Sequence, residues 1–321
     1  MDKVIITGAA GFIGSHVIER FVEEYGDKFF IAVDKLTYAA DMNHLSAIVD
    51  KPNFQFIHAD ITDLPKMLEI TSGASVIINL AAESHVDNSF QNSLPFTHTN
   101  TIGTHVLLEC CLQNSVEHFI HVSTDEVYGE NNTNIGFAED QFFNPSNPYS
   151  ASKAAAEMIV QSFQHSYGVK NTIVRANNIF GPRQFPEKLI PRTILRLKNG
   201  LPALLHGSGA NKRCFLHVND FCDAILLLFQ QKKLGSFNIA SADEYENREI
   251  VQMACDYLGL KFSDNVEMTI DRPHNDSRYL INCEKIKHAG WSQSSVFEQE
   301  IEGVFSWYLN KDYTEGQLGA L

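Results

Sequence analysis

Three glycines between an apolar strand and a helix constrain the fold of this chain more than any other sequence feature. They are Gly8, Gly11 and Gly14, in the segment TGAAGFIG that begins at Thr7. Glycine allows a tight turn, a close approach of a phosphate to the main chain, and close packing of the helix on the strand. The helix N-terminus adds unpaired N–H groups and a positive dipole end. The segment predicts a dinucleotide site, although GxxGxxG also occurs in glycine-rich turns that bind nothing.

Short apolar runs alternate with helical patterns through the first half of the chain. Strands are predicted at Val4–Thr7, Phe29–Val33, Phe54–His58, Val76–Leu80, Phe119–Val122 and Thr172–Arg175. Helices are predicted at Phe12–Tyr25, Leu94–Asn114 and Tyr149–Tyr167. Strands that are apolar on both faces and alternate with helices indicate an α/β fold, a Rossmann-type doubly wound parallel sheet with helices on both sides.

The pattern changes after about Ile179, where prolines and glycines interrupt the regular elements. Shorter helices are predicted at Arg192–Asn199, Asp220–Gln231, Arg248–Leu258 and Phe297–Leu309. We expect residues 1–178 to form the dinucleotide-binding domain, and residues 179–321 to form mainly a smaller α/β substrate-binding lobe with some segments returning to the sheet. Tyr313–Leu321 is predicted to be a frayed tail.

Composition excludes several classes of function. Lys and Arg total 25 against 39 Asp and Glu, for a formal charge of -14, so a nucleic-acid partner is not expected. No apolar run approaches membrane-spanning length and no signal-peptide pattern is present, which predicts a cytoplasmic protein without a membrane partner. The six cysteines lack CxxC pairs, so reduced thiols and no metal site are expected.

A carboxylate follows the second predicted strand, 20 residues after the last glycine of the turn. This residue, Asp34, is placed to accept both ribose hydroxyls of an adenosine and to repel a 2′-phosphate, which favours NAD over NADP. Lys35 is the one feature that favours NADP. Asp60-Ile61 and Leu80-Ala81-Ala82 also follow strands, at the sheet edge where ligands bind.

Two further segments carry candidate catalytic groups. Tyr149 and Lys153 lie one helical turn apart, and a nearby ammonium lowers the pKa of a phenol; such pairs are also common for structural reasons. Thr124, Asp125 and Glu126 follow the strand Phe119–Val122. Two adjacent carboxylates suit an acid and a base that act on one substrate, yet a hydroxyl followed by acidic residues is also good helix-capping chemistry.

Taken together, these motifs resemble a known family. TGAAGFIGS, DKLTYA (34–39), LAAESHVD (80–87), STDEVYG (123–129), YSASK (149–153), GPRQFPEKLIP (181–191) and DRPHNDSRY (271–279) occur in order. The chain is similar to the nucleotide-sugar 4,6-dehydratases of the extended short-chain dehydrogenase/reductase superfamily, with dTDP-glucose 4,6-dehydratase as the closest pattern. STDEVYG is the discriminating motif, because related 4-epimerases and decarboxylases lack the Asp-Glu pair.

The resemblance implies a reaction and a role for each candidate. Tyr149, supported by Lys153, takes the proton of the sugar 4-hydroxyl while hydride passes from C4 to NAD. Glu126 removes the C5 proton, Asp125 protonates the departing 6-hydroxyl, and hydride returns to C6. Thr124 bonds near O4. The implied NAD-binding residues are Gly8, Gly11, Phe12, Ile13, Gly14, Asp34, Lys35, Thr37, Asp60, Ile61, Leu80, Ala81, Ala82, Tyr149, Lys153 and Asn177.

The resemblance also implies a nucleotide-sugar site. Its residues are Ser84, His85, Thr124, Asn178, Lys188, Leu189, His206, Arg213, Asn247, Arg272 and Asn275. His85 fits a structural role equally well. Bacterial dTDP enzymes usually carry Tyr where this chain has His206, and a histidine there resembles the plant UDP-glucose branch. A UDP-sugar is therefore expected, with dTDP-glucose as the alternative and with either glucose or N-acetylglucosamine as the sugar.

Two other functions are disfavoured, and a homodimer is expected. A 4-epimerase or decarboxylase is disfavoured by Asp125 and Glu126, and a non-enzymatic NAD-binding regulator by the intact catalytic set. Extended members of the superfamily commonly form homodimers through a four-helix bundle. The counterparts here are Leu94–Asn114 and Tyr149–Tyr167, so a homodimer is expected.

Overall fold

The computed structural model describes residues 2–311 and residue 313. The predicted tail therefore lies outside the described residues, apart from Tyr313. The strands in this part of the chain are β1 (Asp2–Thr7), β2 (Lys28–Asp34), β3 (Phe54–His58), β4 (Ala74–Asn79), β5 (His118–Val122), β6 (Asn171–Ala176), β7 (Asn178–Phe180), β8 (Ala203–His206), β9 (Lys212–His217), β10 (Gly235–Ile239), β11 (Glu244–Glu246) and β12 (Val266–Thr269).

Helices connect most of these strands. The α-helices in the described residues are α1 (Phe12–Glu24), α2 (Leu64–Thr71), α3 (Val86–Gln91), α4 (Leu94–Phe96), α5 (Gly103–Gln113), α6 (Pro148–Tyr167), α7 (Leu189–Lys198), α8 (Val218–Gln230), α9 (Asn247–Tyr257), α10 (Phe262–Asn265), α11 (Glu284–His288) and α12 (Phe297–Leu309). Short 3-10 helices cover Met42–Leu45 and Asp125–Tyr128, and a π-helix covers Thr97–Ile102.

Seven parallel strands form the main sheet, in the order β10-β6-β5-β4-β1-β2-β3. One face packs on α1 and α8, where Phe21 and Phe221 are fully buried, and the other packs on α2, α5 and α6. The predicted Rossmann-type fold is thus confirmed. The strand order reverses between β1 and β4, and the crevice at the carboxyl ends of these strands is where such folds bind ligands.

A smaller layer follows β6. It contains the three-stranded sheet β11-β9-β7 and the parallel pair β12-β8, and its own core includes residues of α7, α9 and α12. Strand β10 returns to the edge of the main sheet beside β6, so the chain does not divide cleanly at one position. The domain boundary at residues 178/179 stays a prediction.

Two helices differ from the predictions in informative ways. The helix expected at Leu94–Asn114 is interrupted by the π-helix Thr97–Ile102. Helix α7 begins at Leu189, three residues before the predicted start. Pro191 therefore lies in its first turn, where the missing N–H has no intrahelical partner to lose. The proline marked a helix start and not a break.

Candidate active site

The glycine turn fits closely around the end of β1. Gly8 has a φ of +68°, and a Cβ atom built on it would lie 2.7 Å from the backbone nitrogen of Ala81. A Cβ on Gly14 would overlap the carbonyl oxygen of Gly8. The turn therefore tolerates no side chain at either position, and it leaves the N-terminus of α1 open to the crevice.

Asp34 ends β2 as a buried carboxylate with a fixed orientation. It accepts hydrogen bonds from the backbone nitrogens of Leu36 (2.8 Å) and Ala10 (3.0 Å), which leaves acceptor sites for ribose hydroxyls. Lys35 donates to Thr99 (3.0 Å) and lies 3.5 Å from Glu83. Glu83 and Asp60 thus pair with Lys35, the residue that favoured NADP. Asp34 and Lys35 together suit an adenosine that has no 2′-phosphate.

These residues line a cavity of about 300 Å³ at the crevice. Every residue predicted to bind the cofactor lies in its wall except Asp60. The Oδ1 atom of Asp60 accepts instead from the nitrogen and hydroxyl of Thr62, both at 2.9 Å. Its cofactor role stays a prediction, and the residues that line the cavity suit an extended dinucleotide.

The segment after β5 places the two candidate carboxyl groups in the same wall. Thr124 caps the 3-10 helix Asp125–Tyr128, and its Oγ1 accepts from the nitrogen of Glu126 at 3.3 Å. Oδ2 of Asp125 accepts from the Asn177 amide at 2.8 Å. Oε2 of Glu126 accepts from the Asn147 amide at 3.0 Å. The capping role and the catalytic role are therefore compatible, because the cap aims both carboxyl groups into the cavity.

Burial shifts the pKa values of Asp125 and Glu126 away from those of exposed carboxyl groups. Burial, reinforced by the neighbouring Glu126, raises the pKa of Asp125 to about 7. Burial also raises the pKa of Glu126, while the Asn147 amide opposes that rise. Two like charges in one dry site cannot both form easily. The raised pKa of Asp125 lets this carboxyl hold a proton near pH 7, which is the form that a general acid needs.

Tyr149 and Lys153 lie on α6 in the cavity wall. Burial and Glu126 raise the pKa of the Tyr149 phenol, and a hydrogen bond to Thr124 opposes the rise. The expected lowering of the phenol pKa by Lys153 is therefore wrong for the protein alone. The Lys153 ammonium donates to the carbonyl of Val122 at 2.6 Å, and burial lowers its pKa to about 8.

A buried arginine joins the two catalytic segments. Arg175 on β6 makes a bidentate ion pair with Glu157 at 2.7–3.1 Å, and Glu157 follows Lys153 by one turn of α6. The same guanidinium donates to the Tyr128 hydroxyl at 2.5 Å. Tyr128 closes the 3-10 helix that carries both carboxyl groups. Sequence reasoning missed this positioning role, because Arg175 looked only like a strand end.

A second cavity, of about 170 Å³, adjoins the first. All predicted nucleotide-sugar residues line it except Thr124, which lines the first cavity. Residues that line both cavities include Ser84, Glu126, Asn178 and Lys188. Lys188 donates to the Ser84 carbonyl at 2.9 Å. His85 lies 3.4 Å from Glu187, and burial together with Lys188 lowers the pKa of its ring to about 4. The ring is thus neutral near pH 7.

The cations of this cavity differ in their partners. Arg272 pairs with Asp87 at 2.6 Å. Arg213 donates to the Asp276 carbonyl at 2.9 Å and lies over the Tyr279 ring at 4.6 Å. Sequence reasoning missed several wall residues, since no motif marked them: Glu83, Thr99, Asn147, Gln184, Phe185, Glu187, Arg192, His274 and Tyr279.

The π-helix supports the loop between the cavities. Asn100 donates to the Glu83 carbonyl at 3.0 Å and accepts from its nitrogen at 2.8 Å. Its amide also donates to Ser152 on α6 at 2.9 Å. The wide turn therefore connects the loop after β4 to the catalytic helix, as π-helical turns often do near functional sites.

Other classes of site are not found in the described residues. No group of three or more His, Cys, Asp or Glu side chains there could hold a metal ion. None of the helices between residues 2 and 311 combines the length and apolar character needed to cross a membrane. All six cysteines are buried and unpaired.

Comparisons with known proteins agree with this geometry. The family model described as GDP-mannose 4,6 dehydratase matches residues 5–304. A trifunctional UDP-glucose 4,6-dehydratase/3,5-epimerase/reductase of Arabidopsis thaliana is 40% identical over 326 residues, covering 99% of this chain. This chain spans about half the length of that relative, 49%.

Two further relatives match along nearly their whole length. The dTDP-D-glucose 4,6-dehydratase of Homo sapiens is 39% identical over 317 residues, 95% of this chain and 89% of the human protein. A dTDP-glucose 4,6-dehydratase structure from Streptomyces venezuelae, solved with NAD bound, superposes with a TM-score of 0.92 at 35% identity, covering 95% of this chain and 96% of that one. The chain belongs to the GDP-mannose 4,6-dehydratase family, within the extended short-chain dehydrogenase/reductase superfamily.

Proposed function

We propose that this protein is an NAD-dependent hydro-lyase that converts a nucleotide-diphosphate-hexose to its 4-keto-6-deoxy sugar. The adjacent carboxyl groups of Asp125 and Glu126 carry this proposal, because Asp125 lines the cofactor cavity and Glu126 lines both cavities. An epimerase needs only oxidation and reduction at C4. An elimination needs in addition one acid and one base, which this pair supplies.

The residues divide the proton transfers among them. Bound in the first cavity, NAD would supply a hydride acceptor for C4 and then a hydride donor for C6, and its cationic ring would favour the phenolate form of Tyr149. Tyr149 takes the proton of the 4-hydroxyl. Glu126 removes the proton at C5, which the 4-ketone has made acidic, and later returns it. Asp125 gives its proton to the 6-hydroxyl as the C6–O bond breaks and water leaves.

A UDP-sugar is the favoured substrate, and UDP-glucose or UDP-N-acetylglucosamine fits this proposal, with dTDP-glucose as the alternative. His206 lines the second cavity, where a stacking tyrosine would be expected for thymine. Relatives named for UDP-glucose and for dTDP-glucose are equally similar, at 40% and 39% identity. The buried, unpaired cysteines suit a reducing compartment, which supports a cytoplasmic location.

The same proposal includes a homodimer. Helices α5 and α6 pack side by side on one face of the main sheet. Four apolar side chains of these helices and of the segment that leads into α5 have 46–77% of their surface exposed: Leu94, Ile102, Met158 and Tyr167. Exposed apolar side chains of this kind are candidates for a protein–protein contact. Light scattering should give twice the chain mass for the wild type and the single mass for Met158→Glu/Tyr167→Lys. A wild-type monomer would contradict the pairing.

The direct test of the reaction is mass spectrometry. The purified protein with NAD is incubated separately with UDP-glucose, dTDP-glucose and UDP-N-acetylglucosamine, and each product is examined for loss of one water. Dehydration of a UDP-sugar is the expected result. If none of the three loses water, the proposed reaction is wrong; if only dTDP-glucose does, the nucleotide preference is wrong.

A further inference from the structure

Arg192 is the cation of the second cavity with the fewest partners. Its guanidinium has one hydrogen-bond partner in the described part of the chain, Nε2 of His206 at 3.4 Å, and no carboxylate there lies within ion-pair distance. Arg272, by contrast, is paired with Asp87. A half-buried guanidinium with unused N–H donors is costly unless a ligand supplies acceptors.

Arg192 lies in the part of the second cavity that the first cavity does not share. Arg192 follows Lys188 by one turn at the start of α7, and its nitrogen donates to the Lys188 carbonyl at 2.9 Å. Lys188 lines both cavities, whereas Arg192 and His206 line only the second. The hexose must reach Glu126, where the two cavities adjoin. The opposite end of a nucleotide-sugar, its base, then lies toward Arg192 and His206.

The neighbouring imidazole orients the guanidinium. Nδ1 of His206 lies 3.2 Å from the carbonyl oxygen of Ile270, so this nitrogen carries the proton and donates. Nε2 is then an acceptor, which suits the N–H of Arg192. The remaining donors of Arg192 are thereby held within the cavity that His206 also lines.

We propose that Arg192 determines base specificity by donating to the 4-carbonyl oxygen of a pyrimidine, so that uracil or thymine binds and cytosine does not. The C4 edge lies opposite the bond to the ribose, so it is the edge that faces this part of the cavity. Uracil and thymine present an acceptor at C4, whereas cytosine presents an amino donor. An arginine has donors only and leaves that amino group without a partner. This inference rests on the proposed nucleotide-sugar substrate.

The test compares the binding of UDP and CDP to the NAD-loaded protein by calorimetry. The wild type should prefer UDP by at least about tenfold, since a mismatched polar group remains unpaired. Arg192→Met should weaken UDP binding by about 10- to 100-fold and CDP binding far less, so the preference collapses. Arg192→Lys should retain part of it. Arg196→Met, one turn further along α7 and outside the cavity wall, is the matched control and should bind both as the wild type does.

Three outcomes would overturn the inference. They are a wild type that binds UDP and CDP equally, an Arg192→Met variant that binds UDP normally, and equal weakening of both nucleotides, which would assign Arg192 to the diphosphate. If Arg192→Met does not fold, the UDP/CDP ratio of Arg192→Lys decides, and an unchanged ratio overturns the inference. Dehydration of UDP-glucose by the wild type is measured in parallel. If the wild type dehydrates UDP-glucose but the Arg192 variants keep its UDP/CDP affinity ratio, only the role of Arg192 is wrong. If the variants change that ratio but the wild type loses no water from UDP-glucose, only the proposed reaction is wrong.

Discussion

At the scale of single residues, the proposed reaction depends on two neighbouring carboxyl groups whose pKa values are both raised by burial. Asp125 is enclosed by Thr124 and Asn177, and Glu126 is bonded to Asn147. Burial and mutual repulsion raise the pKa of Asp125 to about 7, so it can hold a proton at a pH where an ordinary aspartate is ionised. Sites of this kind gain function at a cost in stability.

The first prediction concerns that cost. Because the folded-state pKa of Asp125 lies above its unfolded value, the folded protein binds more protons between about pH 4 and pH 7, and stability falls as pH rises through this window. Asp125→Asn removes this loss. Its melting temperature should exceed that of the wild type by a few degrees more at about pH 8 than at about pH 5. An equal difference at both pH values would contradict the raised pKa.

The second prediction separates the two halves of the reaction. Glu126→Gln removes the base for C5 but leaves Tyr149 and the cofactor cavity intact. With substrate, it should still form NADH, seen by absorbance, while dehydration falls by about 100-fold or more. Glu130→Gln, four residues later and outside both cavity walls, is the control and should dehydrate normally. Normal dehydration by Glu126→Gln would show that another group is the base.

At the scale of elements, the contact between β1, α1 and the loop after β4 forms the cofactor end of the site. Gly8 and Gly14 are required there for lack of space, not for flexibility, since a side chain at either position meets backbone atoms. The position of the α1 N-terminus, the candidate phosphate site, therefore depends on van der Waals contact between main chains.

This contact gives the third prediction. Gly14→Ala should abolish measurable NAD binding or prevent folding, because its Cβ overlaps the Gly8 carbonyl oxygen. Gly26→Ala is the control, because Gly26 follows the same helix and no atom lies within 4 Å of the added Cβ. The affinity of this variant for NAD should stay within about twofold of that of the wild type. Fluorescence titration with NADH measures both. Wild-type affinity in Gly14→Ala would mean that the turn can open.

At the scale of the whole molecule, the net charge of -14 opposes the anionic ligands that we propose. Binding must then depend on local cations and helix N-termini, such as Lys188, Arg213, Arg272 and the start of α1. These groups line the two cavities, which also contain carboxylates such as Asp34 and Glu187. Net charge thus argues against a nucleic acid, whereas the local groups of a pocket decide whether a small anion binds there.

The fourth prediction concerns global stability. If NAD binds only the folded chain, it should increase the free energy of unfolding by about 2.7 kcal/mol at a concentration of 100 times its dissociation constant. The melting temperature should rise accordingly. NADP should raise it much less at equal concentration, because its 2′-phosphate meets the Asp34 carboxylate. Differential scanning calorimetry of the full chain measures both. Equal shifts would indicate that Lys35, despite its carboxylate partners, accommodates the phosphate.

The sequence predicted local features well and missed those that depend on distant contacts. The strands of the main sheet from β1 to β6 and most of the predicted helices lie within a few residues of their predicted positions, because alternation and glycine placement are local. The roles of Arg175 and Arg192 were not predictable. Each depends on partners far away in the chain, Glu157 and Tyr128 for the first and His206 for the second.

By itself, the sequence determined the parallel α/β sheet, the glycine turn and the family, and it supplied the candidate catalytic side chains, since these features lie in short motifs and in the hydrophobic period. Only the tertiary structure decided how the groups act on one another. It buried Asp125 so that the pKa of its carboxyl rises, directed the Lys153 ammonium to a carbonyl, paired Lys35 with carboxylates and placed Arg192 beside His206 in the second cavity. Burial and Coulomb interactions depend on distance in space, and distance in space is set by packing and not by position in the chain.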